Sequence, residues 1–211
     1  MFKKNSLCGV VSAAAISLGA MTVSGPASAA VIQVFSDDLA GWQGAAGAPE
    51  ILEDFSDATL VSGFTITFGS NLPGSISGGE YHDVANDSQA TKPLFGFSPG
   101  ITAFGAEWDT DLEGQGTGIA LLLTFADASV QTVETEVPDN FTGQFFGIVS
   151  DTVIASIRLD EGTQGGLQET FDMDNARFVV ASAVPEPATL TLFGLGLLGV
   201  GAARRRKKLA A

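Results

Sequence analysis

The residues Gly96-Phe97-Ser98-Pro99-Gly100 have the spacing of a nucleophile elbow, and His82, the single histidine of the chain, is the only base it could use. An elbow stabilises its oxyanion with the backbone N–H that follows the serine, and Pro99 has none. It also runs into a helix, whereas Ile101 opens a β-like run. Acyl transfer by Ser98, His82 and an aspartate is therefore rejected, and His82 reads as a loop residue. Carboxylates offer a second chemistry. Glu107 beside Trp108, with Glu134 or Glu136 on a neighbouring strand, is the pairing that could hydrolyse a glycoside. That reaction needs two carboxyl groups about 5–9 Å apart across a sugar cleft, a distance that spacing alone does not supply.

Metal ligation is the third chemistry. Asp109-Thr110-Asp111-Leu112-Glu113-Gly114 imitates the first half of an EF-hand loop, with oxygens at alternate positions and a glycine at the turn. Ala120 stands where the twelfth-position acid is required, so a true EF-hand is out. A looser Ca²⁺ site through Asp109, Asp111 and Glu113 competes with a solvated acidic turn. Trp42, Tyr81 and Trp108 are the candidate stacking platforms for sugar rings. Trp108 lies in phase with Phe104, which also suits a core position.

The elements that must position these groups lie between two processing signals. Lys3 and Lys4, the apolar run Leu7 to Ala20, and Gly25-Pro26 before Ala27-Ser28-Ala29 make a secretory signal, with a signal-peptidase cut expected between Ala29 and Ala30. Cys8, the only cysteine, would leave with it, so the mature domain has no disulfide and no thiol chemistry. Between Ala30 and Val184 three basic residues, Lys92, Arg158 and Arg177, face 23 acidic ones, a net −20. Such a surface repels nucleic acid and anionic lipid and attracts divalent cations.

At the other end stand Val184-Pro185-Glu186-Pro187, an apolar segment rich in Leu, Gly and Ala to Ala203, and Arg204-Arg205-Arg206-Lys207-Lys208. The prolines hold Glu186 extended, as a protease-accessible linker requires. The basic run should stay cytoplasmic, leaving the preceding domain outside. Gly194-Leu195-Gly196-Leu197-Leu198-Gly199 matches the dinucleotide fingerprint, but it sits in a membrane-type helix with no strand before it, so a nucleotide is rejected.

These three parts, in this order, resemble the PEP-CTERM sorting signal of Gram-negative bacteria, also labelled an ice-binding protein C-terminal domain. The resemblance implies recognition of Pro185, Glu186 and Pro187 by an exosortase, a span over Leu190 to Val200, and a stop at Arg204, Arg205 and Arg206. It implies an inner-membrane-tethered intermediate and final placement at the cell surface or in the extracellular matrix, with exopolysaccharide as a prospective partner. Ice binding itself would want ranked Thr-x-Thr arrays, and the ectodomain offers only Thr65-Ile66-Thr67.

The chain thus divides into a signal peptide (1–29), an acidic ectodomain (30–183) and a sorting signal (184–208). Within the ectodomain, Phe64 to Phe68 alternates cleanly, Ile101 to Trp108 puts Phe104, Ala106 and Trp108 on one face, and Ile119 to Phe125 reads as a central strand buried on both sides. Ala126-Asp127-Ala128-Ser129 reads as a hairpin turn before Val130 to Val137. Phe145 to Val149, Val153 to Leu159 and Phe171 to Val180 complete the set, and residues 69–94 read as a long loop. The expectation is an all-β antiparallel sandwich flanked by a signal helix and a transmembrane helix.

The closing strands, with Phe171-Asp172-Met173-Asp174-Asn175, resemble jelly-roll sandwiches of the carbohydrate-binding-module kind. That resemblance implies a structural Ca²⁺ tying first strand to last, here through Glu53 with Asp172 or Asp174. The competing reading has Asp172, Asp174 and Asn175 bonded to loop backbone. The expected function is a non-enzymatic surface or matrix module for glycans; the alternative is a secreted hydrolase of polysaccharide using paired carboxylates.

Overall fold

A computed structural model describes residues 29–47, 49–70, 74–88, 90–110, 116–166 and 168–182. The signal-peptide residue Ala27 and the whole sorting segment, with Pro185, Glu186, Pro187 and Arg204 to Arg206, lie outside them, as do Asp111 and Glu113. Among the described residues no helix is long and apolar enough to cross a membrane.

The elements run β1 (Ile32–Ser36), α1 (Leu39–Ala46), β2 (Ile51–Glu53), β3 (Phe64–Thr67), β4 (Ser75–Ser77), β5 (Glu80–Ala85), β6 (Leu94–Asp109), β7 (Ile119–Phe125), β8 (Val130–Thr132), β9 (Thr142–Glu161) and β10 (Glu169–Val180). Every strand pairing is antiparallel. The expected all-β antiparallel sandwich is what the chain adopts.

The long strands make the two layers. β6 and β9 stay paired along their length but slip register between Gly96 and Ile101 and again before Ala103. Bulges of this kind bend a strand and raise its twist. On one side of the bend, β6 pairs with β3 and β9 with β7. On the other, β6 pairs with β10 and β9 with β1. The order β4-β5-β10-β6-β9-β7-β8 therefore folds over on itself.

Aromatic rings fill the space between. Phe64 of β3 lies 5.6 Å from Phe178 of β10, and Phe95 of β6 lies 5.5 Å from Tyr81 of β5. Their edge-on and tilted packing is what ring quadrupoles favour. The core extends through Phe104, Trp108, Phe146 and Phe171, all fully or almost fully buried.

Three sequence expectations are corrected. β7 alternates buried Ile119, Leu121, Leu123 and Phe125 with partly open Ala120, Leu122 and Thr124, because only the three-residue edge strand β8 lies beyond it. It is buried on one face, not two. Residues 69–94 are not a loop but contain β4 and β5. A two-turn helix, α1, also went unread. Its start is capped by Asp38, whose carboxylate accepts from Gly41 N at 2.8 Å.

Candidate functional site

Cross-strand register builds the site. Directly paired residues of a ladder point to the same face. His82 of β5 pairs with Asp172 of β10, Asp172 pairs with Asp109 of β6, and Asp174 pairs with Glu107. Glu80, two residues before His82, joins the same face. Between them Tyr81, Met173 and Trp108 point inward and are buried. Five carboxylates and one imidazole thus share the outer face of three adjacent strands. With Thr142 and Gly143 from β9 the five carboxylates border a shallow depression of about 150 Å³.

The rest of this face is covered by α1. Trp42 lies edge-on to Phe145 at 5.6 Å and donates its indole N–H to Ile148 O at 3.1 Å. The cross-strand pair Gly105 and Gly147 makes room for it. A Cβ at Gly147 would stand 2.8 Å from the Trp42 ring and 2.7 Å from Phe145, and one at Gly105 would stand 2.4 Å from Phe145. The helix therefore closes one half of the sheet face and leaves the acidic half open.

Asn175 holds two of the carboxylates. Its side-chain amide donates to Glu107 Oε2 and to Asp174 Oδ2, both at 3.0 Å, and its backbone N–H donates to Asp174 Oδ1. Asn175 takes a left-handed backbone (φ 49°) at the bulge where β10 slips register against β6. Burial pushes the Asp174 carboxyl above its ordinary value, helped by the charges of Glu107 and Asp54 and opposed by the Asn175 N–H and Arg177.

His82 has both ring nitrogens engaged. Nδ1 contacts Asp172 Oδ1, and Nε2 faces Ser77 O at 3.0 Å. Partial burial works against the charged ring, but the bonds to Asp172 and Ser77 and the charges of Asp172 and Glu80 outweigh it. His82 therefore titrates above its ordinary value.

The candidate metal residues are redistributed. Glu53 pairs with buried Ala176, which sets it on the inner face, away from Asp172 and Asp174 on the outer one. Its oxygens accept instead from Phe55 N at 2.8 Å and Val61 N at 2.7 Å, fastening the segment after β2. The bulge at Asn175 turns Ala176 inward although Asp172 and Asp174 point outward, and so overturns the expected convergence of Glu53 with Asp172 or Asp174. Asp109 meets Asp172, an acid from the other expected set. Asn175 donates to both Asp174 and Glu107, and Asp174 accepts from Asn175 rather than from loop backbone.

The stacking expectation is also overturned. Trp42, Tyr81 and Trp108 are each 0 % exposed, so none offers a ring to a ligand. Tyr81 points inward and donates to Asp83, and Trp108 packs on Phe171. Nor does Glu107 meet Glu134 or Glu136. β8, which precedes them, pairs with β7, and Glu136 accepts from Thr163 N and Oγ1 at 3.0 Å. Glu80 and His82 are the site residues that sequence reasoning missed.

At the start of the domain, Gln131 receives Ala30 N at 3.1 Å and donates to Ala30 O at 3.3 Å. β1 follows at once and is fully paired with β9. A cut between Ala29 and Ala30 would leave β1 and its pairing with β9 within the mature chain.

Residues 183–207 match the family model of the PEP-CTERM protein-sorting motif, which marks the chain for export and sorting to the cell surface. No curated protein matches the sequence. A mutant of a family 29 carbohydrate-binding module complexed with mannohexaose is similar in structure at TM-score 0.46 and 13% identity, covering 65% of this chain and 95% of that one. A second mutant of that module gives 0.45 and 12%, covering 66% and 99%. The xylan-binding domain CBM22-1 from Paenibacillus barcinonensis gives 0.29 and 11%, covering 63% and 95%.

Proposed function

We propose that this chain is an exported, non-catalytic binding module, displayed at the surface or in the matrix of a Gram-negative cell, whose acidic sheet face takes a neutral glycan. The observation that carries the reading is the in-register set Glu107, Asp109, Asp172 and Asp174 on rigid strands beside a helix-covered half. Carboxylates accept charge-assisted hydrogen bonds from sugar hydroxyls, and a pair of oxygens suits vicinal diols. The same charge turns away uronic acids, phosphates and nucleic acid. At about 150 Å³ the depression is smaller than the ~300–1,000 Å³ of pockets that engulf a small molecule, which suits contact along a sheet face.

Affinity electrophoresis tests this reading. Neutral polysaccharide in the gel should retard the protein and uronate polymer should not, with retardation lost in Glu107→Gln/Asp174→Asn. Absence of retardation by any of a panel of neutral mannans, xylans and glucans would overturn the reading, as would equal retardation of the double variant.

A hydrolase is the second reading, favoured by one feature. Glu107 and Asp174 are held together by Asn175, and Asp174 is pushed toward its protonated form, as a general acid would be. A reducing-end assay separates the two. Release of sugar ends by wild type, abolished in Asp174→Asn, would make the face an active site.

Sorting follows from the tail. An exosortase would recognise Pro185, Glu186 and Pro187 while the apolar segment tethers the chain to the inner membrane. A structural Ca²⁺ through Asp109, Asp111 and Glu113, hard oxygen donors that suit it, belongs to the same proposal.

A further inference from the structure

We propose that Glu80, His82 and Asp172 form a binding site for one divalent ion of the Zn²⁺ class, at the edge of the acidic face and sharing Asp172 with the proposed glycan contacts. One donor atom from each lies within 4.8 Å of the other two. Zn–N and Zn–O bonds of about 2.0–2.2 Å bring neighbouring ligands to roughly 3–3.5 Å, so closure needs about 1–2 Å, within the swing of the exposed Glu80 side chain.

The histidine is oriented from outside the cluster. Its Nε2–H donates to Ser77 O, which leaves the Nδ1 lone pair aimed at the carboxylates in the neutral ring. A ligating histidine commonly has its other N–H fixed by a backbone carbonyl in this way. Nδ1 and Asp172 Oδ1 would then be two acceptors in contact; a proton reconciles them in the metal-free protein, and a metal takes its place when the two side chains part to ligand spacing. The frame is rigid, because His82 pairs with Asp172 on one side and with Ser75 on the other.

Charge supplies a second argument. Asp172 sits directly opposite Asp109, and Asp174 opposite Glu107, and like charges in these positions repel. Among the described residues Lys92 is tied to Asp87, Arg158 to Asp160, and Arg177 reaches the Asn175 carbonyl. Among the described residues neither Asp172 nor Glu80 is ion-paired with a lysine or arginine, and a bound dication would offset the excess. One imidazole among carboxylates selects Zn²⁺, Ni²⁺ or Cu²⁺ over Ca²⁺ and Mg²⁺. Three protein ligands leave a fourth position open to water or a ligand hydroxyl.

The test is calorimetric titration of ZnCl₂ and CaCl₂ into the protein as recovered from its host and stripped with EDTA. The site predicts one equivalent of Zn²⁺, no comparable Ca²⁺ affinity at that position, and a Zn²⁺-dependent rise in melting temperature. His82→Ala should abolish the Zn²⁺ equivalent while leaving the metal-free circular dichroism unchanged. Asp109→Asn, outside the ligand set, should shift Zn²⁺ affinity by only about threefold through the local field. The proposal is overturned if stripped wild type takes up no Zn²⁺, which would leave a His82–Asp172 ion pair only. Equal uptake by His82→Ala, when that variant is folded, would overturn it too. Because Zn²⁺ alone is the probe, failure here leaves the glycan reading standing.

Discussion

His82 and Asp172 face each other across the β5–β10 ladder with imidazole Nδ1 against carboxylate Oδ1, although 90 residues separate them in sequence. The contact joins a hairpin arm to the last strand of the domain. It also marks the edge of an acidic surface that no local segment contains.

The pH dependence of stability follows from groups held above their ordinary values. Glu169 is fully buried, accepts from Gly118 N at 2.6 Å, and has one carboxyl oxygen without a partner. Burial pushes it up to about 7, against the pull of the Gly118 and Thr117 N–H groups. A carboxyl raised on folding binds more protons folded than unfolded, so its contribution is present at low pH and lost as pH climbs through about 7. His82, also raised, acts in the same direction. Thermal melts with EDTA should show the melting temperature falling from pH 5 to 8. Glu169→Gln should flatten that fall, and an unchanged slope in the variant would show that Glu169 does not cause it.

Trp42 is the fastener of α1. Trp42→Ala removes the ring packed on Phe145 and the bond to Ile148 O, and should cost about 3–5 kcal/mol in denaturant unfolding. Gly147→Ala should cost about 1–3 kcal/mol by overpacking against the same ring. If α1 only decorates the surface, both variants will melt like wild type.

Glu53 is a structural carboxylate. Glu53→Ala leaves the N–H groups of Phe55 and Val61 without their acceptor, a loss of about 2–4 kcal/mol. The loss should be the same in EDTA and in excess Ca²⁺. A Ca²⁺-dependent difference would restore Glu53 as a metal ligand.

The layers were legible where one face of a strand is apolar. Ile101 to Trp108, with Phe104, Ala106 and Trp108 on its buried face, stands where alternation puts it, whereas the apolar run Ile119 to Phe125 revealed the strand but not its single buried face. β5 was hidden for a specific reason. Glu80-Tyr81-His82-Asp83-Val84-Ala85 sends an aspartate inward, where Tyr81 Oη, Gly69 N and Val84 N satisfy it. A buried, satisfied carboxylate erases the hydrophobic period on which strand reading depends. The flanking Gly78 and Gly79, both at positive φ, add a turn signal that strengthens the loop reading.

The site was less legible than the strands, because its geometry is register between distant strands. Asp109, Asp172 and Asp174 were legible as residue types, but the pairing of Asp109 with Asp172 depends on where β10 slips against β6. The stacking expectation failed on phase: Tyr81 and Trp108 fall on the inner side of the strands whose outer side carries the acids.

Processing of the tail is testable in the host. Intact mass of the protein from surface and membrane fractions should lack both the signal peptide and Arg204 to Arg206, and Glu186→Ala should retain the tail in the membrane. Surface protein still carrying Arg204 to Arg206 would contradict exosortase cleavage.

The most direct measurement of the central claim is NMR mapping on ¹⁵N-labelled protein titrated with neutral manno-, xylo- and gluco-oligosaccharides. The account predicts saturable shifts clustered at Glu80, Glu107, Asp109, Asp172 and Asp174, absent from Glu107→Gln/Asp174→Asn. Shifts confined to the separate depression of about 270 Å³ between Ile32 and Glu134 would contradict it, as would no shift with any of the three.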